Sequence, residues 1–355
     1  MPEKSKILIV LGPTASGKSD IAVALALRLR SGQAKNLGIN GAEIVSADSR
    51  QVYKGLNIGT GKITKKEMRG VKHHLLDITN PKKRFTVSEY INLANRAIAQ
   101  IIKRGKLPIV CGGTGFYIDA LLGDKQIPEV PPNQKLREKL EKKSVEELFE
   151  TLKKLDPERA STIDKQNPRR LIRAIEICKA LGSVPKLVAS SQHLASRKYD
   201  VLKIGIAPIK EITHPHTPSL ILREGAKGKG YILNDKELEN RINKRIEKWF
   251  KGGLLKEVLN LHKKGLSWKR MSEIGLEYKI VSLFLSRRSK SASRPNASGQ
   301  NKISKEDMIK RMQIETRQYS KRQMTWFKKD KNIIWLPPKI NLDLIEKGIR
   351  RFLEK

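Results

Sequence analysis

The stretch from residue 7 to residue 29, ILIVLGPTASGKSDIAVALALRL, limits more than any other what this chain can fold into. The branched apolar run 7–11 reads as a buried strand, since a strand covered on both faces shows no polar alternation. It breaks at Gly12-Pro13, and apolar residues then recur at helical spacing from Lys18 through Ile21, Leu25 and Leu29. Between the two lies Gly12-Pro13-Thr14-Ala15-Ser16-Gly17-Lys18-Ser19, a complete G-x-x-x-x-G-K-S pattern. Its glycines let the backbone curl until N–H groups converge on phosphate oxygens, and the helix N-terminus adds the positive end of its dipole. Lys18 supplies a point charge between phosphates, and the Ser19 hydroxyl an oxygen ligand for Mg²⁺. The pattern predicts a phosphate-binding loop. It leaves open whose phosphates are held.

The charge balance narrows that question. A net charge of +37 in 355 residues predicts a polyanionic partner, with nucleic acid the leading candidate and a general solubility adaptation the plain alternative. The length allows a large core plus a second lobe. Cys111 and Cys178 lie far apart in apolar contexts, as buried thiols of a reducing compartment do, and no zinc site can be built from them. No run approaches the roughly 18 apolar residues of a membrane span, and the opening MPEKSK has no hydrophobic signal region. A cytoplasmic protein with no membrane partner is expected.

Along the chain, residues 31–42 read as a polar, Gly-rich loop and residues 43–49 as a strand ending in Asp48. Ligands of parallel α/β sheets sit at the carboxyl ends of strands, so Asp48 is expected to face the phosphate site, as a metal ligand or general base. A turn-forming role is the plain alternative. Residues 51–62 suit a site loop ending in Lys62. After His73-His74, residues 75–78 read as a short strand, and adjacent strand histidines point apart, which disfavours a two-His metal site. Residues 85–103 read as an amphipathic helix, and residues 107–111 as a core strand followed by Gly112-Gly113-Thr114-Gly115. This alternation argues a doubly wound P-loop domain.

The texture changes at Gly123. Pro128, Pro131 and Pro132 mark a linker into charged, helical sequence with three start signals: the capping box Ser144 to Glu147, Asp156-Pro157, and Asn167-Pro168. The last of these helices carries Arg169, Arg170 and Arg173, with Leu171 and Ile172 for packing. Presenting arginines to a nucleic-acid backbone is one reading and an ordinary solvated face the other. Residues 201–208 read as a strand returning to the sheet, 211–232 as a flexible loop, and about 235–250 as a helix with Arg241 and Arg245 on one face. Those two could clamp a diphosphate or pair with Glu237 or Glu247. Residues 287–302 are basic, low-complexity sequence, expected to be disordered. Residues 306–328 read as a helix whose basic residues and aromatics Tyr319, Trp326 and Phe327 suit either RNA stacking or docking on the core.

Five segments, GPTASGKS, SADSRQVYKGLNIGTGK, CGGTGFY, NPRRLIRAIE and TRQYSKRQMTWF, resemble in order and spacing the bacterial tRNA dimethylallyltransferases (tRNA isopentenyltransferases), over about residues 7–336. The resemblance implies an α/β fold, a P-loop NTPase-like parallel sheet flanked by helices with an inserted all-helical domain. The core would occupy 1–123 and 196–355, and residues 124–195 the insertion that binds the tRNA anticodon loop. It implies transfer of a dimethylallyl group from dimethylallyl diphosphate to the exocyclic amine of the adenosine 3′ to the anticodon, with Mg²⁺ held at Ser19, by a monomer. Residues 12–19 would hold the donor's diphosphate, with Thr14, Lys18 and Arg245 neutralising the leaving group and Asp48 taking the amine's proton. Asp48, Ser49, Arg50, Gln51, Thr114, Arg137, Arg169, Arg170, Leu171, Ile172 and Arg173 would contact tRNA, together with Ser272, Glu273, Ile274, Gly275, Leu276 and Glu277.

The chain departs from the family where GTAKP becomes GTGKI, placing Ile63 for proline, and where an IGYKE-like segment loses its aromatic at Leu276. The loops 31–42, 211–232 and 287–302 look longer than usual. Having only two cysteines, the chain lacks the C-terminal zinc finger of eukaryotic relatives. Rival readings are a P-loop kinase of a small metabolite, which gives the basic helices no work, and an enzyme prenylating free AMP, ADP or ATP, which has less need of the arginine-bearing insertion. A non-catalytic RNA-binding protein would tolerate loss of Asp48, which is present.

Overall fold

The computed structural model describes residues 4–31, 39–124, 127–185, 198–210, 232–292 and 304–354. Most of the loops expected at 31–42, 211–232 and 287–302 lies outside these residues. The described start of the last, 287–292, instead continues the helix Leu276–Ala292. By internal contacts the chain forms two compact units, Met1–Leu122 with Arg197–Lys355, and Gly123–Ser196.

In the larger unit the strands are β1 Ser5–Leu11, β2 Ala42–Ser46, β3 His73–His74, β4 Leu107–Gly112, β5 Tyr199–Ile206, the short antiparallel pair β6 Ile209–Lys210 and β7 Ile232–Leu233, and β8 Ile334–Leu336. All but β6 and β7 join one parallel sheet, ordered β3-β2-β4-β1-β5-β8. The register places Leu8 opposite Ile109 on one side of β1 and Leu202 on the other. Alternate residues of β1 then feed opposite layers. Ile7, Ile9 and Leu11 pack with Tyr90, Ala94, Ile98 and Ile101 of the helix Val87–Lys103, while Leu8 and Val10 pack with Ile21, Leu25 and Leu29 of α1 (Lys18–Ser31) and with Ile345 and Ile349 near the C-terminus. Burial on both faces is what the unbroken apolar run required. A further core joins the helices Asp235–Lys251, Leu254–Lys263, Trp268–Ile274, Leu276–Ala292 and Lys305–Phe327 beside residues 52–56. Among the described residues no helix is long and apolar enough to cross a membrane.

The strand expected at 75–78 is displaced to His73–His74, which pairs with Ile44 and Val45. Leu75 and Asp77 instead adopt left-handed φ of 64° and 55°. The buried Lys62 ammonium explains the turn: it holds the Asp77 carboxylate at 2.6 Å and the Tyr53 carbonyl at 2.7 Å. The two histidines take different partners, His73 the Val71 carbonyl and His74 the Glu43 carboxylate at 2.7 Å.

Glu43 is 2% exposed and also receives Arg104 and Lys106 at 2.8 and 2.9 Å, so one carboxylate ties β2 to β3 and to the entry of β4. Burial alone would raise its pKa, but the hydrogen bonds from His74, Lys106 and Arg104 outweigh burial and hold it at about 2, against an ordinary 4.5. A depressed carboxylate stabilises the fold fully above its unfolded pKa, and the contribution is lost as pH falls toward the folded one. Stability is therefore expected to fall by roughly 3 kcal/mol between about pH 4.5 and pH 2 from this group alone. In Glu43→Gln, urea titrations should show that much of the acid dependence gone.

In the smaller unit the helices Gln134–Leu140, Val145–Leu155, Pro157–Thr162 and Pro168–Leu181 bury Leu148, Leu152, Leu171 and Ile175. Each of the three later helices starts at its sequence signal, with Ser144, Asp156 and Asn167 as N-caps accepting from backbone N–H groups.

Candidate active site

Three loops leave the carboxyl ends of β1, β2 and β4, and meet there. The first is residues 12–17. Gly12 has φ 156°, and a Cβ there would stand 2.1 Å from the Ile206 carbonyl oxygen, so only glycine fits against β5. Ala15 and Gly17, at φ 62° and 88°, turn successive peptides in alternating senses. That alternation makes a nest of N–H groups. Among the described residues the N–H groups of Ala15, Gly17, Lys18 and Ser19 find no acceptor. Lys18 folds back so that Nζ donates to the Pro13 carbonyl at 3.1 Å. Burial lowers its pKa; Cys111 and Asp48 push it up, and the Arg245 cation pushes it down.

The second loop follows β2. The Ala47 N–H donates to the Cys111 carbonyl at 2.8 Å, and its own carbonyl accepts from Thr114 N–H at 3.1 Å. Gly112 permits this approach, because a Cβ there would meet the Ala47 oxygen at 2.1 Å. Asp48 comes next. Its Oδ1 accepts from the N–H groups of Arg50 at 2.8 Å and Gln51 at 3.3 Å, the turn-forming arrangement, while Oδ2 accepts nothing among the described residues. Ser49 N–H donates to Thr114 Oγ1 at 3.1 Å, and Gln51 Nε2 to the Gly61 carbonyl at 3.3 Å.

Arg245 reaches this place from the helix Asp235–Lys251, donating to Thr14 Oγ1 at 3.4 Å. It passes directly over Gly61, where a Cβ would lie 1.7 Å from Nη2. Burial lowers its pKa, and Glu277 and Asp48 oppose that effect. Its helix neighbour Arg241 is tied instead to Glu237 at 2.9 Å, so the structure separates the two arginines. Glu277 lies near Arg50 across Gly275, and burial raises its pKa against the charges of Arg245 and Arg50.

The remaining sequence candidates sort by environment. Ser272 Oγ bonds the Trp268 carbonyl and Ser282, Glu273 pairs with Arg270 and Arg84, Ile274 is buried, and Leu276 is half-buried in the same core. In the smaller unit Leu171 and Ile172 are core residues. Arg137 and Arg173 do not project outward but converge on the buried Glu176 carboxylate at 2.7 and 2.5 Å, and Arg173 also donates to the Val130 carbonyl at 2.9 Å. Arg169 and Arg170 are exposed, the latter 3.5 Å from Asp164.

One residue, Gln323, escaped the sequence reading, and Trp326 takes the docking role that was one of its two alternatives. Gln323, buried on the helix Lys305–Phe327, accepts from Thr14 N–H at 2.9 Å and donates to the Gly113 carbonyl at 2.7 Å, bracing the first loop against the third. Trp326 packs on Gly115, where a Cβ would meet its ring at 2.4 Å, and donates to Asp119 at 2.9 Å. Phe327 joins the core, so these two aromatics dock rather than stack on bases. The reading of this helix as docked on the core did not say what Gln323 would touch. Gln323→Ala is expected to lower kcat/KM for the ligand of the P-loop roughly a hundredfold, the scale of a small misplacement, with a stability loss of about 1–3 kcal/mol for the two unmet partners. Steady-state kinetics in that ligand, beside a melting curve, checks it.

Comparison with known proteins agrees with this geometry. The sequence profile of the family described as IPP transferase matches residues 51–216 and 227–330. The chain belongs to the IPP transferase family. It is 35% identical over 335 residues to the tRNA dimethylallyltransferase of Anoxybacillus flavithermus, covering 93% of this chain and 89% of that one. Among solved structures it is similar to the full-length tRNA isopentenylpyrophosphate transferase of Bacillus halodurans, with TM-score 0.61, 30% identity and coverage of 99% and 97%. The corresponding Staphylococcus epidermidis enzyme gives TM-score 0.62 at 30% identity, covering 99% of both chains. A eukaryotic dimethylallyltransferase acting on tRNA shares the fold at 22% identity and TM-score 0.66, covering 98% of this chain and 77% of that one. The IPP transferase family is thus reached from both sequence and fold.

Proposed function

We propose that this IPP transferase moves a dimethylallyl group from dimethylallyl diphosphate to the exocyclic amine of the adenosine 3′ to a tRNA anticodon. The observation that carries the reading is one place where unmet P-loop N–H groups, two cations and a carboxylate converge. The N–H groups of residues 15 and 17–19, with Lys18 and Arg245, suit a diphosphate whatever organic group it bears. In the reaction the C–O bond to the diphosphate breaks and the oxygen keeps the electron pair, so the growing charge falls on these donors. The amine nitrogen bonds to the allylic carbon, and its proton passes to Asp48 Oδ2. An aromatic amine is a poor nucleophile, and a fixed carboxylate on its proton is the appropriate aid. The adenine has to leave the anticodon stack to reach the site.

Magnesium fits the chemistry of the donor set. Among the described residues no group of three or more His, Cys, Asp or Glu is placed to hold a metal ion, and the P-loop pattern offers the Ser19 hydroxyl as the protein oxygen. Mg²⁺ characteristically takes few protein ligands and completes its shell with substrate phosphates and water. Bound there it would neutralise diphosphate charge. Arg169 and Arg170, exposed in the smaller unit, and Arg50, Gln51 and Thr114 near Asp48 are the proposed tRNA contacts, with Arg137 and Arg173 holding Glu176. A cytoplasmic monomer accords with the reading.

The test is transfer of label from radiolabelled dimethylallyl diphosphate, with Mg²⁺, to unmodified tRNA or to free AMP in parallel. Label in tRNA alone supports the proposal. Label in AMP moves the enzyme to nucleotide prenylation, and ATP consumption with neither acceptor labelled returns the kinase reading.

A further inference from the structure

A cleft of about 660 Å³ opens in the larger unit between residues 54–58, 80–82 and 252–266. Lys54, Lys82, Lys256 and Lys264 line it, all exposed. Among the described residues none of these four ammonium groups has an ion pair or a hydrogen bond. Lys82 turns inward over Gly265: its Nζ lies 3.0 Å from where a Cβ on that glycine, at φ 83°, would stand. The acid among the lining residues, Glu257, is already engaged. Its oxygens accept from the N–H groups of Asn57, Ile58 and Gly59 at 2.9, 2.8 and 3.2 Å and from the Tyr278 hydroxyl at 2.6 Å. Four like charges facing one cleft repel one another, and a polyanion relieves that repulsion. No P-loop residue lines the cleft, so the donor's diphosphate does not account for it.

We infer that this cleft is a second anchoring point for the sugar–phosphate backbone of the RNA substrate, separate from the P-loop. The inference rests on the tRNA reading above. Compact ammonium groups on flexible stems suit phosphates, which carry register and affinity but no sequence information. Asn57 and Ile58 of the lining, held by Glu257, belong to the chain segment that runs on to Gly61, over which Arg245 passes. A backbone held here engages none of the P-loop residues, Asp48 or Arg245.

The experiment measures tRNA affinity against salt for three forms: the parent chain, the variant with Lys54, Lys82, Lys256 and Lys264 all changed to Ala, and a charge-matched control with Lys103, Lys310, Lys339 and Lys347 changed to Ala. Each phosphate no longer neutralised by an ammonium lowers the salt slope by about 1. The cleft variant should lose roughly 2 or more units of slope and bind tRNA at least about tenfold more weakly, with KM for the prenyl donor unchanged. Changing the same four lysines to Arg should restore the slope, which a folding defect would not allow. If cleft and control variants lose equally, or the cleft variant binds as the parent does, the inference is overturned. A parent chain that binds no tRNA overturns the functional reading itself, so the two failures are distinct.

Discussion

Asp48→Ala is expected to bind tRNA about as well as the parent chain while turnover falls by roughly two to four orders of magnitude, the usual scale for a lost general base. The geometry separates the two jobs of this side chain. Oδ1 closes the turn onto the Arg50 and Gln51 N–H groups, and Oδ2 accepts no hydrogen bond among the described residues. Asp48→Asn sharpens the test, because an amide oxygen can still close the turn but the group cannot accept the amine's proton. Both variants should be slow in single-turnover assays, and the Asn variant should retain the parent's melting temperature. Parent-like turnover in Asp48→Asn would remove the carboxylate from the chemistry.

Lys18→Ala should act on the other reactant. With Lys18 gone, the leaving diphosphate loses a cation placed at the mouth of α1, and kcat/KM for the prenyl donor should fall by about a hundred- to a thousandfold, as for a lost electrostatic stabiliser. tRNA affinity should not follow. The lowered pKa of Lys18 gives a second signature, with its sign set by burial and the neighbouring Arg245. The cation is lost on the alkaline side, earlier than for an ordinary lysine, so donor affinity weakens as pH rises. That alkaline limb should be missing in Lys18→Ala. Lys18→Arg is not expected to rescue, since a planar guanidinium cannot occupy the place of a compact ammonium bonded back to Pro13.

The parts legible in the sequence are those whose physics is local. The run into Gly12 and the lysine after Gly17 specify strand, nest and helix within a few residues. Asp156-Pro157 and Asn167-Pro168 cap their helices with their own side chains. What stayed hidden depends on a partner far along the chain. Arg173 was readable as cationic, but its turn toward Glu176 depends equally on Arg137 arriving from another helix. Residues 75–78 looked extended until Lys62 pulled Asp77 into a left-handed turn. Trp326 and Phe327 carried the pattern of a stacking platform, and only the room left by Gly115 shows that Trp326 lies against the core. Periodicity tells which face is buried, never against what.

The brace from Gln323 to Thr14 spans 309 positions of sequence. A ribosome delivers the P-loop first and its brace 309 residues later. Strand β8, at the opposite edge of the sheet from β3, arrives later still. Domains generally fold as they emerge, N-terminal parts first, so this chain, as it is made, has the P-loop sequence long before it has the residue that braces the loop. A chain cut short before Gln323 carries the motif without the side chain that braces its loop.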